Sequence, residues 1–151
     1  MVAYQLSVFA ENKPGRLAKV TGILKKGKIN VRAITISTSD VFGVINLIVD
    51  DPEGARSILE DGGLTVSMKE VVAVVIEDRP GGLDKLVQLL LDEDINVENA
   101  YGFVLESHEK AVFVVDVDQM EKTQKVLKDA GLETLDAQAL SAIEPFHYMK
   151  Y

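Results

Sequence analysis

The chain contains no cysteine and no tryptophan, and only nine of its 151 residues are aromatic. Without cysteine there is no disulfide, no zinc–thiolate or iron–sulfur site and no cysteine nucleophile. Histidine is almost as scarce. His108 and His147 are the two, and neither has a second histidine or an acidic pair at ligand spacing, so no metal site is expected. His108 falls in the turn-like Glu106-Ser107-His108-Glu109 and reads as a solvated turn residue. Long apolar runs are missing too; none exceeds about six residues, far short of the roughly 20 that span a bilayer. The N-terminus shows no basic stretch followed by an apolar leader, because alternation starts at once with Tyr4-Gln5-Leu6-Ser7-Val8. Positive charge is in deficit, with 16 Lys and Arg against 24 Asp and Glu and a net charge of −8. That balance argues against a protein that grips a phosphate backbone.

What the chain has in quantity is apolar material, 47% of its residues, which excludes disorder. It also has a repeat. Glu11-Asn12-Lys13-Pro14-Gly15-Arg16-Leu17 returns 66 residues later as Glu77-Asp78-Arg79-Pro80-Gly81-Gly82-Leu83. Lys28-Ile29-Asn30-Val31 returns as Asp94-Ile95-Asn96-Val97 at the same offset, and nine of the 21 positions from 11 to 31 are identical in the second copy. Two copies of this length form a duplicated domain rather than a solenoid. The boundary is placed between residues 69 and 70, giving domains 1–69 and 70–151, the second with a short aromatic tail. No Ser/Gly/Pro linker separates them.

Each copy reads in the same order. In the first, residues 2–10 alternate as a strand, and Pro14 suits the first turn of a helix that runs to Gly27 with Leu17, Val20 and Leu24 on one face. Strands are expected over 29–39, 42–50 and 64–68, with a helix opened by Asp51-Pro52-Glu53 and stopped by Gly62-Gly63. The second copy predicts strands at 71–77, 95–106, 111–117 and 133–142 and helices at 80–92 and 119–130. Asp118 and Glu121 have the spacing of a capping box for the latter helix. The result is α+β: two β-α-β-β-α-β units in tandem, each a ferredoxin-like four-stranded antiparallel sheet with two helices on one face. The charge is split unevenly between them. The first copy carries nine basic and seven acidic residues, a net +2; the second carries seven and seventeen, a net −10.

Such a fold hosts many functions, so function is argued from sites. The repeated loop joins a strand to a helix N-terminus, where glycine lets a ligand approach the backbone and the first-turn N–H groups suit a carboxylate. Asn12 and Asp78 stand beside it as acceptors for an ammonium group. Carboxylate and ammonium partners side by side are what a free α-amino acid requires. The same residues also make an ordinary lead-in turn, with asparagine as a cap. The RNA-recognition fold shares the element order, but Phe42-Gly43-Val44-Ile45-Asn46-Leu47 and Lys110-Ala111-Val112-Phe113-Val114 lack its basic and aromatic strand motif.

Pro-Gly-x-Leu after Asn or Asp, followed a dozen residues later by Ile-Asn-Val, resembles the ACT domain, once per copy over nearly the whole chain. ACT domains are β-α-β-β-α-β modules that bind amino acids and regulate metabolic enzymes. The Glu11-Asn12-Lys13-Pro14-Gly15 loop is the closer match to the serine-sensing ACT domain of phosphoglycerate dehydrogenase. That resemblance implies Asn12 and Asn30 as ligand-contacting residues. The second copy has Asp78 in place of the loop Asn and keeps Asn96. Both copies lack the family's Gly before Ile-Asn, having Lys28 and Asp94; Gly27 is expected to serve in the first and Asp94 to tolerate the left-handed conformation in the second.

The expected ligand residues are Asn12, Pro14, Gly15, Arg16, Leu17, Asn30 and Ile34 in the first copy. In the second they are Asp78, Gly81, Gly82, Leu83, Asn96 and Tyr101, with Tyr101 lining the pocket and Gly102 giving it room. The chain is expected to be a non-catalytic, cytoplasmic regulatory protein with no cofactor and no metal, which signals through domain or subunit packing. Its expected partners are a free amino acid, a second copy in a homodimer and a catalytic enzyme that it regulates; nucleic acid and membrane are excluded. The alternative is a regulatory or scaffold subunit of a metabolic enzyme that acts by protein–protein contact without ligand binding. The tail 143–151, with Phe146, Tyr148 and Tyr151, is expected to dock on its own fold or on a partner subunit.

Overall fold

In the computed structural model, residues 2–106 and 108–142 are described; the tail 143–151 and its expected docking lie outside them. The elements run β1 (Ala3–Glu11), α1 (Arg16–Lys26), β2 (Val31–Thr38), β3 (Phe42–Val49), α2 (Pro52–Asp61) and β4 (Thr65–Glu77). They continue with α3 (Gly82–Asp92), β5 (Val97–Glu106), β6 (Lys110–Val117), α4 (Met120–Asp129), β7 (Thr134–Leu135) and α5 (Ala137–Ser141). The chain divides into two compact units. One is Tyr4–Lys69; the other runs from Glu70 onward and takes in the first residues of the chain. The expected strands 64–68 and 71–77 are therefore parts of one strand, β4, within which the division falls.

In the first unit the strand order is β2-β3-β1-β4. β1 and β3 pair antiparallel in the register Leu6↔Leu47, Ser7↔Asn46, Val8↔Ile45. Directly opposed residues share a sheet face, so Leu6, Val8, Ile45 and Leu47 form one side. They meet Val20 and Leu24 of α1 and Ala55 and Leu59 of α2 in a single buried cluster. Each fully buried leucine contributes about 1.5–3 kcal/mol through removal of apolar surface from water. The other face carries a buried polar network: Ser7 Oγ donates to Asn46 Oδ1 at 2.7 Å, and Gln5 Nε2 donates to the same oxygen at 3.3 Å.

The second unit repeats this as β5-β6-β4-β7. Val72 and Val74 of β4, Val115 and Val117 of β6, Leu86 and Leu90 of α3 and Leu127 of α4 make its core. Both units are thus α+β and ferredoxin-like, with two helices against one sheet face. Four local expectations are corrected. Pro14 and Pro80 lie in the turns ahead of their helices, which start at Arg16 and Gly82. The Asp118–Glu121 capping box does not form. The N-cap of α4 is Gln119, without a side-chain cap, and Asp118 accepts the Asn96 N–H at 3.1 Å instead. The expected strand 133–142 is the two-residue β7 followed by α5, whose start is capped by Asp136 accepting the Ala139 N–H at 2.8 Å. Lys28 itself takes the left-handed conformation (φ 58°), as does Asp94 (φ 54°); Gly27 stays at φ −81°. Gly27 packs against the end of the Ile58 side chain, which would have to move for a Cβ there.

Candidate functional site

The two repeated loops leave their strands in the same way. Gly15 has φ 90° and Gly81 φ 89°, a left-handed conformation that strains any residue with a Cβ. Each is the N-cap of the following helix, and neither helix has a side-chain cap. No side chain caps the first-turn N–H groups; the first of each is taken by its own turn, Arg16 N–H donating to Lys13 O at 3.4 Å and Gly82 N–H to Arg79 O at 3.0 Å. Ahead of the glycine, each loop is tied to the hairpin of its own unit. Asn12 N–H donates to Val41 O at 2.9 Å, and its Nδ2 donates to Ser39 O at 3.4 Å. Asp78 N–H donates to Glu109 O at 2.9 Å, and its Oδ2 accepts the His108 N–H at 2.9 Å. Asn12 thus spends its amide nitrogen on the hairpin and keeps Oδ1 as an acceptor, whereas Asp78 spends carboxylate oxygen.

In the first unit Asn12, Arg16 and Leu17 line one groove of about 90 Å³ together with Ile36 and Thr38 of β2. Arg16 Nη2 donates to Glu11 Oε1 at 3.0 Å, and its Nε is buried with no hydrogen-bond partner. Pro14 and Gly15 shape the turn but do not line the groove. Ile34 shares the helix-side face of β2 with Ile36, its opposite being Leu47, and is half-exposed farther along the strand. Asn30 stands beyond the far end of β2. At about 3.3 Å per residue it is some 20 Å from Ile36, too far for one amino acid to touch both within a unit.

Asn30 and Asn96 have equivalent aspartate partners. The Asn30 N–H donates to Asp50 Oδ1 at 3.0 Å and Asn96 N–H to Asp118 Oδ1 at 3.1 Å. The aspartate N–H groups return the bond to the asparagine carbonyls at 3.2 and 3.3 Å. Asp50 and Asp118 were readable as a repeated pair only at an offset of 68, because the second hairpin is two residues longer.

In the second unit Gly81 and Gly82 line a cavity of about 320 Å³ with Glu77, Pro80, Lys85 and Lys110. Asp78, Leu83 and Asn96 do not line it. Leu83 is exposed on α3, and Asn96 lies before β5. Tyr101 does not line this cavity either. It pairs with Val114, in the row of Asp116 and Val112, which is the sheet face turned away from α3 and α4. Burial there, and then the negative charge of Asp116, raise its hydroxyl pKa. Gly102 makes room for Phe113 rather than for a ligand, since a Cβ would press on that ring at 3.0 Å and on Val112 O at 2.9 Å.

A family model described as an ACT domain pair matches residues 1–144. The crystal structure of a protein from Bacteroides thetaiotaomicron is 37% identical, aligns over 94% of this chain and 97% of that one, and has a TM-score of 0.88. The regulatory subunit of aspartate kinase from Thermus thermophilus, in its ligand-free form, is similar at 17% identity over 84% of this chain and 91% of that one, with a TM-score of 0.58. Its counterpart from Thermus flavus is similar at 17% identity, 87% and 92% coverage and a TM-score of 0.55. At those identities the two share the fold. No curated protein matches.

Proposed function

The chain belongs to the family of ACT domain pairs, and from that premise we propose that it is a non-catalytic regulatory protein whose first loop binds a free amino acid. The observation that carries this reading is the state of Asn12. Its Nδ2 is committed to Ser39 O, which leaves Oδ1 to accept from an ammonium group beside an uncapped helix start that suits a carboxylate. Asn30 enters the same reading only from a second copy of the chain, since within one unit it stands some 20 Å from the groove. A homodimer joined along β2 satisfies that requirement. β2 is the outer strand of its unit, with Ile34 and Ile36 exposed by 43% and 49%. Ligand held between two copies would bias their packing, and a coupling of about 1–3 kcal/mol suffices to regulate a bound enzyme. The amino-acid reading is confined to the first unit, where Asn12, Arg16 and Leu17 line one groove, whereas Asp78 and Leu83 do not line the cavity of the second.

The reading is cytoplasmic and cofactor-free. No helix among the described residues is long and apolar enough to cross a membrane. Calorimetry of the full chain against the twenty amino acids tests the proposal. One or a few should bind at about micromolar to millimolar Kd, and Asn12→Ala should weaken that binding at least tenfold. No heat with any amino acid would sink it. The second reading, a scaffold subunit working by contact alone, is favoured by the apolar stripe Leu83, Val87 and Leu91 on α3, the last exposed by 64%. Co-purification of an enzyme indifferent to every amino acid would select it.

A further inference from the structure

The second unit is strongly acidic, yet the cavity at the start of α3 is lined by two lysines, Lys85 and Lys110, and one carboxylate, Glu77. That carboxylate is already engaged by Arg79 Nε at 2.6 Å. Lys110 stands opposite Glu77 in the β4–β6 register and opposite Glu106 in the β5–β6 register; Lys85 has no ion pair among the described residues. The rest of the wall is largely aliphatic, with Val75, Ile76, Leu86 and Leu132. The cavity lies beside the end of β4, where β7 pairs with Ala73 and Val74 and the Val75 N–H donates to Glu133 O at 2.9 Å.

The first unit has a counterpart of about 350 Å³ at the same place, but its chemistry differs. Arg16 stands where Gly82 stands and is spent on Glu11, and Phe42 replaces Lys110. Lys19 lines this cavity where Lys85 lines the other, so the first cavity keeps one cation outside its ion pair and the second keeps two over an aliphatic floor.

We propose that the second-unit cavity is a binding site for a small aliphatic carboxylate lacking an α-ammonium group. The carboxylate sits between Lys85 and Lys110, and the hydrocarbon lies on Leu86 and Leu132. An ammonium group would meet two lysines there, and the one carboxylate on the wall is shared with Arg79. At about 320 Å³ the space suits a molecule of this size. This site is separate from the amino-acid reading of the first loop and stands or falls without it.

The test is an NMR titration of the ¹⁵N-labelled full chain with 4-methylpentanoate, which is leucine without its amino group. The amide signals of Gly82, Lys85 and Leu132 should shift and saturate at millimolar ligand. Lys85→Gln and Lys110→Gln, both at exposed positions, should each weaken binding about tenfold, while Asn12→Ala leaves it unchanged. Leucine should perturb the same signals at least tenfold more weakly. Three outcomes overturn the proposal: no saturable shift up to about 50 mM, leucine binding as well as the deaminated acid, or inorganic phosphate reproducing the shifts at equal affinity. The last would mark the rim as a general anion site.

Discussion

The first loop and its copy have the same backbone and different chemistry. Both bend through a left-handed glycine, both start a helix without a side-chain cap, and both clasp their own hairpin. Next to that common frame, one residue changes the site. At position 16 the first loop has an arginine whose guanidinium answers Glu11; at position 82 the second has a glycine that no other residue can replace, because a Cβ would strike the carbonyl of Glu77. The arginine answers Glu11 and leaves Lys19 as the other cation on its cavity wall, whereas the second cavity carries Lys85 and Lys110. A duplicated domain can thus keep its scaffold and separate its two ligand chemistries with a handful of side chains.

The largest expected effects test whether the scaffolds are alike at all. Leu24 and Leu90 are equivalent, and each is only 2% exposed. Leu24→Ala and Leu90→Ala should each cost about 2–5 kcal/mol in denaturant unfolding. A loss confined to one of the two would show that the units do not share one packing plan.

The next effect should break the symmetry. Gly82→Ala forces a Cβ into the Glu77 carbonyl, and overpacking of this kind costs about 1–3 kcal/mol. Arg16→Ala, at the equivalent position, removes a partly exposed ion pair and should cost below about 1 kcal/mol. Equal losses in a thermal or denaturant melt would mean that the two loops are built the same way after all. Gly15→Ala and Gly81→Ala, by contrast, should cost the same, about 1–2 kcal/mol each, since both need a left-handed residue.

Much of this was legible in the residues. The return of Glu-x-x-Pro-Gly-x-Leu at 66 residues carries the duplication, and Val20 and Leu24 carry the buried face of α1. What stayed hidden has identifiable causes. Tyr101 was expected in a pocket from its place on the second strand of its copy, which does not fix the face it takes. β5 has a register shift between Val97 and Asn99, and one irregular residue exchanges the faces. Residues 137–141 alternate loosely enough to read as a strand, yet Asp136 ahead of Ala-Gln-Ala-Leu is a helix start that outweighs the alternation. The uniqueness of Gly82 depends on how near α3 comes to the backbone of Glu77, and no spacing in a sequence reports that distance. The Asn30 role implied by resemblance needs a second chain, so neither the sequence of one copy nor its fold brings Asn30 to the groove.

A smaller contrast lies in the clasp. Asp78→Ala removes a 2.9 Å bond to the His108 N–H and should cost about 0.5–1.5 kcal/mol. Asn12→Ala removes a 3.4 Å bond and should cost less. A reversed order would move the structural burden to the first loop and weaken the argument that Asn12 is kept for a ligand.

The smallest effect belongs to the longer hairpin of the second unit. There Glu106 and Glu109 share a proton-dependent contact with no counterpart at Ser39-Asp40. The hydrogen bond that protonated Glu106 donates to Glu109, and then the negative charge of Glu109, raise the Glu106 carboxyl above its ordinary pKa. A carboxyl whose folded pKa is raised binds its proton more tightly in the folded chain than in the unfolded one. The hairpin therefore gains from acidification through the carboxylate range, and the like-charge contact disfavours it once both groups are ionised. Glu109→Gln should bring the Glu106 titration down toward the usual carboxylate range, as read by side-chain carboxyl NMR. Because the group is fully exposed, salt should mute the difference. A Glu106 titration unchanged in Glu109→Gln would assign the shift to another cause and remove the one proton-sensitive feature that separates the two hairpins.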